Sequence, residues 1–289
     1  FNLLKKGGIM IDALLDALID SLKLFPFLFI TFLIMEYLEH KMTNKNKKII
    51  EKSGKYGPLL GSVLGVFPQC GFSVMATNLY ATRVITVGTL ISVYLATSDE
   101  MLPILISERV ELSFIVTVLL IKVVVGMIFG ILIDFIFRKQ TKKKESIHHM
   151  CEDEHCGCDH GIIKPTLKHT FNILLFIFIM TFILNLGFSY LGEEKISKLF
   201  MKNSIFGPLL SSLIGLIPNC SSSILITELY LNHTISFASL ISGLLTGSGV
   251  ALLVLFKSNK NIKENVIILT TIYLIGVFIG LLCQVTSLF

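Results

Sequence analysis

Apolar residues in this chain come in long runs, and polar residues are largely confined to the gaps between them. Windows of about 19 residues mark apolar segments near 21–38, 58–80, 84–106, 112–137, 170–191, 207–231, 235–256 and 265–288. A run of roughly 20 residues is what a helix needs to cross ~30 Å of hydrocarbon. The pattern therefore predicts an all-α polytopic membrane protein. The first run reads as the end of a helix that starts near Ile9, in which Asp12, Asp16 and Asp20 recur every four residues. That spacing puts them on one stripe, as on the solvated face of an interfacial helix.

The runs also repeat. A shift of 150 positions lays Gly57-Pro58-Leu59-Leu60 on Gly207-Pro208-Leu209-Leu210, and Pro68-Gln69-Cys70 on Pro218-Asn219-Cys220. It lays Leu79-Tyr80 on Leu229-Tyr230, Leu90-Ile91-Ser92 on Leu240-Ile241-Ser242, and Gly126/Gly130 on Gly276/Gly280. Low-complexity apolar sequence aligns Leu with Leu by chance, but it does not align Pro, Cys, Gly and Tyr in one register. The chain divides into a first transmembrane repeat at 1–137, a His/Cys-rich loop at 138–165 and a second repeat at 166–289.

Charge orients the copies. Loop 41–56 carries six lysines, and 138–145 carries Arg138, Lys139, Lys142, Lys143 and Lys144. Both belong on the cytoplasmic side by the positive-inside rule, yet three ordinary spans between them would part them. One segment in each half must enter and leave on the same side. The expected re-entrant segment is 84–106, interrupted by Thr97-Ser98-Asp99-Glu100-Met101-Leu102-Pro103, with Thr246-Gly247-Ser248-Gly249 in its counterpart; the rival is 58–80. Either way three spans per half turn the second copy upside down. Inverted repeats with interrupted helices are the architecture of secondary transporters, with the substrate where the repeats meet.

Composition narrows the class. With 53% hydrophobic and 16% charged residues and a mean hydropathy of +0.77, a soluble domain, in which about a quarter of residues are charged, is excluded. The net charge of +5 adds little. Aspartates 12, 16 and 20 interrupt what would be a signal-peptide core. No GxxxxGK[ST] run is present for ATP-driven work. Cys70, Cys220 and Cys283 lie in apolar runs while Cys151, Cys156 and Cys158 share a polar loop, which is not a disulfide framework.

The candidate substrate pathway combines the two proline breaks and the interrupted segments. Mid-run prolines break helices, freeing backbone groups beside Gln69, Cys70 and Ser73 in one copy and Asn219, Cys220, Ser221 and Ser223 in the other. Ser98, Asp99, Glu100 and Ser248 belong to the interrupted segments. A carboxylate near the bilayer centre costs at least about 2.5–3.5 kcal/mol and marks a pathway, relay or ion site. Asp99 and Glu100, with Lys122 and Glu36, are thus candidates for charge or proton coupling. Gly126-x-x-x-Gly130 and Gly276-x-x-x-Gly280 read as close helix packing.

The stretch from His148 to His160 contains little but metal-ligating side chains. His148, His149, Cys151, His155, Cys156, Cys158 and His160 suit zinc or copper(I). Their spacing is that of a flexible chelating tether rather than a zinc finger. No cofactor is required, and a metal ion enters as substrate or regulator.

Met35-Glu36-Tyr37-Leu38-Glu39-His40, Phe67-Pro68-Gln69-Cys70-Gly71, Ile217-Pro218-Asn219-Cys220, Thr97-Ser98-Asp99-Glu100 and the His/Cys loop together resemble one family over nearly the whole chain. It is the ten-transmembrane heavy-metal exporters of bacteria, variously labelled arsenic efflux proteins or manganese transporters. The resemblance implies export of a toxic or surplus ion across the plasma membrane by a permease rather than an enzyme. Three functions follow for testing: export of a divalent cation such as manganese or zinc by proton antiport, export of arsenite or an oxyanion such as phosphate held at half-helix N-termini, and a non-transporting membrane metal sensor. The expected partners are the lipid bilayer, the transported ion and a second copy in a homo-oligomer, with no nucleic acid.

Overall fold

The computed structural model describes residues 56–67, 70–98, 100–137, 163–191 and 206–286, together with helical residues 14–19, 21–26, 28–30 and 32–33. Among them every regular element is a helix. They are α1 (Gly57–Gly65), α2 (Cys70–Ala81), α3 (Val87–Ala96), α4 (Met101–Ser107), α5 (Leu112–Phe137), α6 (Ile163–Leu191), α7 (Phe206–Gly215), α8 (Ser221–Leu231), α9 (Phe237–Thr246), α10 (Ala251–Ser258) and α11 (Ile262–Val285). The starts of α3, α4 and α5 and those of α9, α10 and α11 lie 150 positions apart. The duplication seen in residues is thus also a duplication of elements.

Local chemistry sets the helix ends alike in both copies. Pro58 occupies the first turn of α1, where its missing N–H and fixed φ cost nothing. Thr86 caps α3 by accepting from Thr89 N, and Ser236 caps α9 by accepting from Ser239 N. The preceding turns each need a residue in the left-handed region, supplied by Arg83 (φ 61°) and His233 (φ 54°).

By length and composition, five stretches among the described residues can cross a membrane: Val87–Ser107, Leu112–Phe137, Thr166–Asn185, Phe237–Ser258 and Ile262–Val285. The first and fourth are interrupted, α3 from α4 by 97–100 and α9 from α10 by 247–250. Phe237–Ser258 is 89% buried inside the protein, against 33% for Ile262–Val285. The interrupted helix is therefore the inner one, where irregular backbone at membrane depth is tolerable.

Close approaches give the directions. A Cβ on Gly61 would meet Ser92 Oγ at 2.6 Å, and one on Gly65 would meet Val93 O at 2.7 Å, while Gly57 abuts Thr89. Helix α1 therefore runs alongside α3 in the same direction. Gly126 faces Ser92 O, and Gly130 faces Gly88 O, so α5 runs opposite to α3. Helix α2 reaches α3 through the turn 82–86, and Thr77 Oγ1 lies 2.6 Å from Tyr94 OH, so these two are also antiparallel. It follows that α1 and α2 double back on each other. Because 126–134 already spans the length of α3, the first turns of α5 lie level with α4, and α4 continues the path of α3. Helices α1 and α2 are thus the pair that doubles back, which favours the rival reading, 58–80, over 84–106 as the re-entrant segment. Thr97, Ser98 and Glu100 thus lie between two helices that run in one direction, in a stretch long and apolar enough to cross a membrane. The second copy matches, with Gly207 against Ser239 and Gly215 against Gly243 and Thr246.

Candidate functional site

Helix α2 begins with Cys70, and Cys220 is the N-cap of α8. Their sulfurs are 3.0 Å apart, and neither is part of a disulfide. The two residues are equivalent by the repeat, so this contact lies where the copies meet on equal terms. Ser73 Oγ donates to Cys70 O at 2.8 Å, and Ser223 Oγ donates to Cys220 O at the same distance. These serines tie down the first turn of each half-helix. Two helix N-termini thus converge on a pair of sulfurs, and N-termini favour negative charge.

An amide cluster flanks the second thiol. Asn219, 1% exposed, donates through Nδ2 to Asn185 Oδ1 at 2.6 Å, and Ser221 Oγ donates to the same oxygen at 3.5 Å. Ser222 Oγ donates to Asn219 O at 2.8 Å. Of the residues expected to line a pathway, Asn219 and Ser221 on either side of Cys220 thus share Asn185 as partner. Asn185 was missed by reading the sequence. Its only signal was an amide inside the apolar run 170–191, and its counterpart 150 positions earlier is Met35.

The interrupted helices differ between copies. Ser98 Oγ donates to Val66 O at 2.5 Å, tying the break of one helix to the tip of the re-entrant pair. Its counterpart Ser248 is fully buried, and its hydroxyl has no hydrogen-bond partner among the described residues. Glu100 is half-buried at the N-cap of α4 without a side-chain capping bond. Lys122 is 1% exposed, and its Nζ donates across the repeat boundary to Leu244 O at 2.5 Å.

Against known families the chain gives a match over most of its length. The family described as "Putative, 10TM heavy-metal exporter" matches residues 7–188 and 172–287. The chain belongs to this family. No curated protein and no solved structure matched it.

Within this heavy-metal exporter family member, several expected residues lie outside the described ones: Gln69, Asp99 and Glu36, and His148, His149, Cys151, His155, Cys156, Cys158 and His160 of the loop. Among the described residues, no group of three or more His, Cys, Asp or Glu side chains is placed to hold a metal ion. The boundary between the copies has two further clusters at equivalent positions. Glu264 accepts from Arg83 at 2.7 Å and from Tyr80 OH at 3.2 Å. The equivalent residues Phe114 and Tyr230 instead stack with centroids 5.4 Å apart, and Phe237 packs edge-on to both.

Proposed function

We propose that this protein is a secondary-active exporter whose substrate is a thiophilic heavy-metal or metalloid ion, bound between Cys70 and Cys220. The observation that carries the reading is the 3.0 Å approach of those two sulfurs at converging half-helix N-termini. Thiolates select soft ions such as zinc and copper(I), whereas manganese prefers carboxylate and carbonyl oxygen. Zinc or arsenite therefore fits better than manganese. Proton exchange at the interruption 97–100, through Asp99 and Glu100, is the drive assigned to it.

The proposed motion is alternating access between inverted halves. The turn 82–86 of the first half sits beside the α10–α11 junction of the second, through Arg83 and Glu264. The equivalent turn 232–236 sits beside the start of α5, through Tyr230 and Phe114. A turn in one copy thus meets the opposite end of the other copy's fold, which supports the inversion. A re-entrant 57–81 adds no crossing, so 41–56 and 138–145 fall on one side, together with Lys257, Lys260 and Lys263. That side is assigned to the cytoplasm of a bacterial inner membrane, with the His/Cys loop as a metal-collecting tether.

Transport in proteoliposomes tests the proposal with zinc, arsenite, manganese and phosphate as alternatives. Cys70→Ser and Cys220→Ser should each slow zinc or arsenite export by about tenfold or more, equivalent to ~1.4 kcal/mol. Undiminished export by the double serine variant would overturn the site.

A further inference from the structure

Half-helix α9 ends inside the protein. A helix leaves its last carbonyls without intrahelical partners, and buried carbonyls need some donor or cation. Gly247 N returns to Gly243 O at 3.1 Å, and the next carbonyl, that of Leu244, receives Lys122 Nζ. Every residue from Phe237 to Leu252 is buried, so bulk water does not serve this end. Four residues after Leu244, just past the end of α9, comes Ser248, whose hydroxyl is buried with no partner among the described residues.

The first copy has the same break but not the same need. There Thr97 N returns to both Val93 O and Tyr94 O, at 2.9 and 3.3 Å. Tyr94 is the counterpart of Leu244, so its carbonyl is satisfied by its own chain. Ser98 is satisfied by Val66 O. The counterpart of Lys122 is the fully buried Ile272. The lysine thus stands in the copy opposite the broken helix that leaves a carbonyl open, whereas the copy opposite the self-satisfied carbonyl of Tyr94 carries isoleucine at that position.

C-terminal helix ends favour cations, and in interrupted-helix transporters such ends and unwound carbonyls hold the coupling metal cation. We propose that the Lys122 ammonium is a tethered cation filling that position at the end of α9, and that its removal opens a monovalent metal-cation site formed by Leu244 O and Ser248 Oγ. The inference rests on the transporter reading above, but its test does not use export. A wrong substrate or a silent transport assay therefore leaves it standing or falling on its own.

Thermal unfolding of the purified full chain in nanodiscs would be compared in sodium chloride and choline chloride. The wild type should unfold at the same temperature in both. Lys122→Ala should unfold several degrees lower in choline and recover saturably with sodium, while Ala with Ser248→Ala should lose that recovery. Lys122→Met, which keeps the apolar stem, guards against a simple packing defect and should also gain a sodium response. A wild type that responds to sodium would overturn the proposal, as would variants that sodium does not rescue. Failure of both variants to fold in either salt also counts against it, because a vacated cation position should be refillable.

Discussion

Asn185 lies in the apolar part of α6 and accepts from Asn219, which is itself almost fully buried. Replacing it with Leu leaves the Asn219 amide desolvated without that partner, which costs about 1–3 kcal/mol. The expected result is a lower unfolding temperature, measured by a thermal shift, and a further fall if Ser221→Ala is added. Cys70 and Cys220 permit a sharper test. Mild oxidation should join them, removing two protons and two electrons to the added oxidant, and mass spectrometry of a proteolytic digest should recover the cross-linked peptide pair. At this scale the sequence was partly legible. The Pro-x-Cys motifs identified both thiols, because prolines and cysteines inside apolar runs are rare enough to register. Asn185 did not register, since one amide in an apolar helix has no periodicity and lacks a counterpart in Met35.

Helix packing obeys rules that composition only hints at. The glycines 126 and 130 on α5 let the backbone of α3 approach, and a Cβ on Gly130 would lie 2.8 Å from Gly88 O and from Ser92 Cβ. Gly130→Val should therefore separate α3 from α5 at a cost of several kcal/mol, near the upper range for overpacking. Loss of folded protein in detergent extracts checks it. The reversal of direction is legible in the sequence, but the sequence leaves two candidate segments, 84–106 and 58–80. Positive charge requires one re-entrant pair per half and is silent on which, and polarity at 97–100 favours the segment that the helix directions do not. What decided the matter is parallel packing of α1 on α3, a tertiary fact carried by Gly57, Gly61 and Gly65 that no window average reports. The capping residues Thr86 and Ser236, by contrast, follow a local rule and stand in equivalent places.

For the whole molecule, duplication was the most legible property, because it is written in identities that survive in register over both halves. Its consequence for motion is testable. Arg83→Ala should loosen one end of the seam and speed alkylation of Cys70 by a membrane-impermeant maleimide added from that side. Phe114→Ala should do the same from the opposite side. Charge reversal at both partners, Arg83→Glu with Glu264→Arg, should restore the slow rate, which a merely local packing defect would not allow. Deleting 148–160 should leave transport by reconstituted protein intact while lowering metal tolerance in cells, if the loop only gathers substrate.

The two fastenings also answer differently to their surroundings. Mobile ions weaken an exposed ion pair but leave stacked rings untouched or tightened. Added salt should thus unlatch the guanidinium end of the purified protein and spare the ring-lined one, so the ionic strength of the buffer would set which end of the seam rests open.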